Sequence, residues 1–173
     1  MDWYEAVFEL IDLRSFSNLW YWIALAVFWS SASHYVLGVP FDLVLRAKRK
    51  GGQAEADLRD MVRVAINRLL IIGEVSGLLI FGFGCFVITG LFLLGFMYGV
   101  EFAQALFLIL FPMGLLGLMS IRAASSIEAN VETMDQLHAR LLKHRFWTQV
   151  LGIISIFITA IWGMYQNMVV GSL

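Results

Sequence analysis

The chain has 173 residues, of which 60% are hydrophobic and 14% charged, and its formal net charge is −1. Soluble domains carry roughly 25% charged residues, so this composition, with a mean hydropathy of +0.79, excludes an ordinary water-soluble domain and indicates an integral membrane protein. A single cysteine, Cys85, excludes an internal disulfide.

Residues 2–14, DWYEAVFELIDLR, place Trp3, Val7, Leu10 and Ile11 at helical spacing with Asp2, Glu5, Glu9 and Asp12 between them, which predicts an interfacial helix on the periplasmic surface. The segment is acidic where a secretion signal is basic, so it is expected to remain on the mature chain. Four stretches lack Asp, Glu, Lys and Arg: 15–41, 75–100, 102–121 and 146–173. Each reaches the roughly 20 residues that a helix needs to cross the hydrocarbon. They are continuously apolar, not alternating, which favours helices over a membrane β-barrel.

The expected fold is therefore an all-α integral membrane protein, a four-transmembrane-helix bundle forming one membrane domain over 1–173. Spans are predicted at 19–38, 69–95, 102–120 and 146–168. Ser17 and Asn18 offer capping oxygens before the first span, and Gly38, Pro40 and Asp42 close it. Pro112 is tolerable inside the third span.

Seven of the twelve Lys and Arg residues lie between the first two spans (Arg46, Lys48, Arg49, Lys50, Arg59, Arg63, Arg68) and four between the last two (Arg122, Arg140, Lys143, Arg145). The excess of positive charge assigns both loops to the cytoplasm and both termini to the periplasm of a bacterial inner membrane. These basic residues fit topology and contact with membrane lipids; nothing supports a nucleic-acid role.

Both cytoplasmic segments, 41–68 and 121–145, read as helical. After Gly51-Gly52, Leu58, Met61, Val62 and Ala65 share one face of a helix that continues into the second span. Ile127, Val131, Met134, Leu137 or His138, and Leu141 repeat at intervals of three and four. Amphipathic faces must be buried, either against each other or against a partner, so Leu58, Met61, Val62, Ile127, Val131 and Met134 form a candidate partner interface.

Two ionisable side chains fall near the inner ends of spans: His34 in the first and Glu74 in the second. At 1.5 Å per residue both sit about 6–9 Å inside the boundary, where a mutual hydrogen bond would lower the cost of burying them. Gly73 and Gly77 flank Glu74 as GxxxG, a spacing that permits close helix approach, so a packed contact is the first reading of Glu74. His34 and His144 raise the idea of haem b ligation, but no motif accompanies them and no cofactor is predicted. No CxxC, HExxH, phosphate loop or nucleophile–base arrangement is present, so neither catalytic nor metal-binding residues are assigned.

The function expected from these features is that of a non-catalytic accessory, scaffold or assembly subunit of an inner-membrane complex, partnered by another membrane protein or by copies of itself. The alternative is a small oligomeric channel or transporter component whose polar site lies at the cytoplasmic boundary.

Overall fold

A computed structural model describes residues 15–170 of the chain, with side chains described through residue 168. The segment 2–14, predicted as an interfacial helix, lies outside the described residues. Among the described residues the protein is all-α apart from one two-residue ladder, with five helices: α1 (Leu19–His34), α2 (Phe41–Lys50), α3 (Gln53–Phe92), α4 (Glu101–Asn130) and α5 (Met134–Val170). Three helices are long and apolar enough to cross a membrane: α3 with the π-helical turn that ends it (Gln53–Met97), α4 and α5.

The first helix is shorter than its apolar run. A single 3₁₀ turn (Ser15–Ser17) precedes it, and the Asn18 side chain caps it by accepting from the Trp20 amide at 2.9 Å. It then spans 16 residues, about 24 Å, and stops at His34, four residues before Gly38. The chain turns there through a hairpin in which β1 (Tyr35–Val36) pairs antiparallel with β2 (Val39–Pro40). The two loop residues, Leu37 and Gly38, have φ of 52° and 83°, the paired positive values of a type I′ turn that match the twist of a hairpin. Leucine resists that conformation, at a cost of about 1–2 kcal/mol. The Leu37 side chain is only 5% exposed, so its burial in the core is what holds the turn.

α2 is a separate amphipathic helix inside the segment 41–68. Asp42 lies in its first turn and Lys48, Arg49 and Lys50 in its last, complementing the helix dipole at both ends. Gly51 and Gly52, both at positive φ, reverse the chain into α3. Phe41, Val44 and Ala47 form the buried face of α2, and the Arg145 guanidinium sits 3.5 Å above the Phe41 ring, a cation–π contact joining α2 to α5.

α3 has 40 residues, about 60 Å, without a break between its basic and apolar halves. α4 runs through Pro112 without interruption. The turn into α5 is a reciprocal cap: the Thr133 hydroxyl accepts from the Gln136 amide at 3.4 Å, while Gln136 Oε1 accepts from the amides of Thr133 (3.3 Å) and Glu132 (3.0 Å).

The largest buried apolar cluster lies at the basic end of the bundle. It joins Val36, Leu37 and Val39 of the hairpin to Phe41, Val44 and Ala47 of α2, Leu58, Val62 and Ile66 of α3, Ala124 and Ile127 of α4, and Leu137 and Leu141 of α5. The hairpin and α2 are thus a plug set between the extended ends of the three long helices.

Candidate functional site

The site residues inferred from sequence are placed in three different environments. Leu58, Val62 and Ile127 are buried inside the basic-end cluster, and Val131 and Met134 pack partly buried against it; Met61 is 46% exposed. The amphipathic faces of 53–68 and 127–141 are therefore buried in one cluster together with α2 and the hairpin. Of the six residues offered as a partner surface, Met61 alone is exposed. The physical reason is simple: period reveals that a face is buried, not what buries it.

His34 and Glu74 are both exposed, and among the described residues no hydrogen bond or ion pair joins them; the ion pair described is Arg63–Asp60 at 3.0 Å, on the surface of α3. His34 stacks edge-on with Tyr35, their ring centroids 5.1 Å apart. A Cβ on Gly73 would lie 3.8 Å from Ile121 of α4, an ordinary contact, whereas one on Gly77 would meet nothing within 4 Å. GxxxG therefore borders α4 at its first glycine and opens outward at its second. Cys85 is also exposed on α3.

The outward face of α3 is bare. In its most apolar stretch of 18 residues none is buried, against 22% in α4 and 28% in α5. Val75, Leu78 and Leu79, which follow Glu74, are each more than three-quarters exposed. Glu74 thus stands on an apolar helix surface with no partner among the described residues.

Closer helix contacts occur outside this motif. α1 runs antiparallel to α5 and wedges two indoles into glycine notches: a Cβ on Gly152 would come within 2.8 Å of the Trp29 ring, and one on Gly163 within 3.1 Å of Trp22. Between these glycines the buried Ser155 and Thr159 continue the same stripe, after Thr148. Thr148 and Thr159 donate to the carbonyls of His144 (3.0 Å) and Ser155 (2.8 Å), which satisfies these two hydroxyls inside an apolar interface, whereas the buried Ser155 hydroxyl has no partner among the described residues.

At the end remote from the basic cluster, Gln104 of α4 is the polar hub. It is 4% exposed, and its amide nitrogen donates to the Gly95 carbonyl at 2.8 Å. That carbonyl belongs to the π turn, where the regular ladder gives out. The Gln104 carbonyl accepts from Trp162 Nε1 at 3.0 Å and from the Gln166 side chain, so one side chain fastens α5 to the α3–α4 turn. Nearby, the Phe16 amide donates to Glu101 at 2.8 Å and Trp22 Nε1 donates to the Phe16 carbonyl at 3.0 Å. These bonds fix the start of α1.

At the basic end, Arg122, Arg140, Lys143 and His144 line a groove between α4 and α5 with Met119 and Trp147. His144 is buried and its Nε2 lies 3.4 Å from the Ser120 hydroxyl; it is far in sequence and setting from the exposed His34, and no interaction joins the two imidazoles proposed above for haem. Among the described residues no group of three His, Cys, Asp or Glu side chains is arranged to hold a metal ion.

No protein-family model matches the chain, and no curated protein or solved structure is significantly similar to it.

Proposed function

We propose that the chain is a non-catalytic accessory or assembly subunit of a bacterial inner-membrane complex, anchored as a four-span bundle with both termini in the periplasm. The observation that carries this reading is the uncovered face of α3 with Glu74 on it. An ionised side chain at the centre of a membrane helix costs about 2.5–3.5 kcal/mol on insertion scales, and a shallow one less. A donor on an adjoining subunit removes that cost and supplies a directional contact between helices that lipid cannot drive together by the hydrophobic effect.

The four-span arrangement rests on α1. At about 24 Å it falls short of a full crossing alone, yet Phe16 meets Glu101 at one end of the bundle and the hairpin meets Ile66, Ala124 and Leu141 at the other. In this reading helix and hairpin together make the fourth crossing, packed along α5. Positive charge at the hairpin end supports a cytoplasmic placement of that end.

The reading is tested by purification from the native membrane in mild detergent, comparing the wild type with Glu74→Leu. A membrane partner should co-purify at fixed stoichiometry and be lost with Glu74→Leu, while the variant chain stays folded and inserted. Recovery of both as lone monomers would refute it. The competing pore reading also draws on Glu74, since several copies could turn their α3 faces inward. Glu74-dependent ion flux through liposomes containing this chain alone would favour that pore.

A further inference from the structure

We propose that the groove between α4 and α5 at the basic end binds the headgroup of one anionic phospholipid. Its cations arise from two facing ridges. Met119, Arg122 and Ser126 recur at helical spacing on α4, and Arg140, Lys143, His144 and Trp147 do so on α5, so that successive turns of each helix present a side chain to the same groove. The groove holds about 200 Å³, room for a phosphodiester and part of its glycerol.

Its charge is uncompensated. The groove lining contains no carboxylate, and among the described residues no ion pair engages Arg122, Arg140 or Lys143. Exposed cations are commonly compensated by neighbouring carboxylates; here three line one groove without one, which favours an anion between them. The arrangement along the helix axis selects a lipid over a soluble anion. Arg140 lies seven residues from Trp147, about 10 Å along α5, with the cations toward the basic end. Trp147, half exposed, and Met119 line the opposite, apolar side, where charge-free sequence continues in both helices. An indole at that level suits the headgroup boundary, and acyl chains would continue along the apolar surface below it. Basic pockets between membrane helices recognise headgroups by this combination. No residue of α3 lines the groove, so the inference does not depend on a partner subunit covering Glu74.

The test is native mass spectrometry of the full chain in a neutral detergent, titrated separately with phosphatidylglycerol, with phosphatidylcholine of the same acyl chains, and with inorganic phosphate. One saturable adduct is expected with phosphatidylglycerol, and none with the other two at the same concentrations. Arg122→Gln, Arg140→Gln and Lys143→Gln should each weaken it about fivefold, and the triple variant roughly a hundredfold. These side chains are exposed, so the fold should survive; should the triple variant misfold, the single variants carry the test. Arg46→Gln/Lys48→Gln/Arg49→Gln removes equal charge from α2 and should leave affinity within about fivefold. Equal losses in the two triple variants would reduce the effect to general surface potential and overturn the proposal. Phosphatidylcholine binding as tightly would overturn it too, and competition by inorganic phosphate at comparable concentration would make this a soluble-anion site.

Discussion

Gly152→Ala should destabilise the bundle although alanine is the better helix former. The added methyl would sit 2.8 Å from Trp29 Cε3, 3.2 Å from Cδ2 and 3.4 Å from Cζ3, contacts that require the indole or α1 to move. Trp29 is only 4% exposed, a rigid bicyclic ring with no free end to swing aside. Overpacking of this kind costs about 1–3 kcal/mol, while exchanging glycine for alanine in a helix returns about 0.8–1.0 kcal/mol. Gly77→Ala supplies the control, because nothing lies within 4 Å of its Cβ position and the propensity term is the same. Subtracting one variant from the other isolates the clash, about 1–3 kcal/mol. Reversible unfolding in mixed SDS micelles, followed by far-ultraviolet circular dichroism, measures the difference. Trp29→Phe, which shortens the wedge, should recover part of the Gly152→Ala loss in a double-mutant cycle. Equal stabilities for Gly152→Ala and Gly77→Ala would refute the account of α1 docking.

Gln104→Leu should lower stability in the same assay by about 1–3 kcal/mol, because the Gly95 carbonyl, Trp162 Nε1 and Gln166 lose their shared partner; an unchanged midpoint would remove the hub from the argument. Leu58→Ala should cost about 2–5 kcal/mol, since Leu58 is wholly buried at the basic end, whereas Met61→Ala on the exposed side should remain within about 0.5 kcal/mol. Similar losses for these two would mean that the faces of α3 are assigned wrongly. At the hairpin, Leu37→Ala removes packing but keeps the positive φ, and Leu37→Gly removes both. The glycine variant should therefore be the more stable of the two by about 1–2 kcal/mol, as read from thermal unfolding midpoints, and the reverse order would refute a strained turn.

The three long apolar helices were legible because charge is excluded from hydrocarbon residue by residue, leaving runs that need no tertiary information. The end of α1 was less legible. Apolar composition continues from His34 to Phe41, and only the Leu37-Gly38 turn and Pro40 mark a change of backbone. α2 carried signals that were available: Pro40 before it, Asp42 and the Lys48-Arg49-Lys50 run at its ends, and Gly51-Gly52 after it. For the glycines, GxxxG points to Gly73 and Gly77, whereas the tight contacts lie at Gly95, beside Gln104 in the turn, and on α5 at Gly152 and Gly163. Those two are eleven residues apart, three helical turns, with Ser155 and Thr159 on the same stripe. That spacing can be read from the sequence, but not the indoles of Trp29 and Trp22 that fill it, because they come from a helix more than a hundred residues away.

The two sides of the bundle differ in a way that bears on assembly. On α5 the small residues are used: each notch accepts an aromatic ring, and each buried threonine hydroxyl has a carbonyl. On α3, Gly73, Gly77 and Gly84 fall within about 40° of one another around the helix, yet Gly77 and Gly84 face open space. Lipid gives such a face no advantage, since acyl chains pack against leucine as well as against glycine and each glycine sacrifices helix propensity of about 0.8–1.0 kcal/mol. Close approach by another helix reverses the balance, because small residues shorten the distance between axes and strengthen dispersion and hydrogen bonding across it. Glu74, one position from Gly73, borders this face. A carboxylate and open glycines are separately unfavourable toward lipid and jointly favourable toward a helix that brings a hydrogen-bond donor. α3 is accordingly the side on which the proposed partner should dock, and the α1–α5 side, already closed by its own tryptophans, is not.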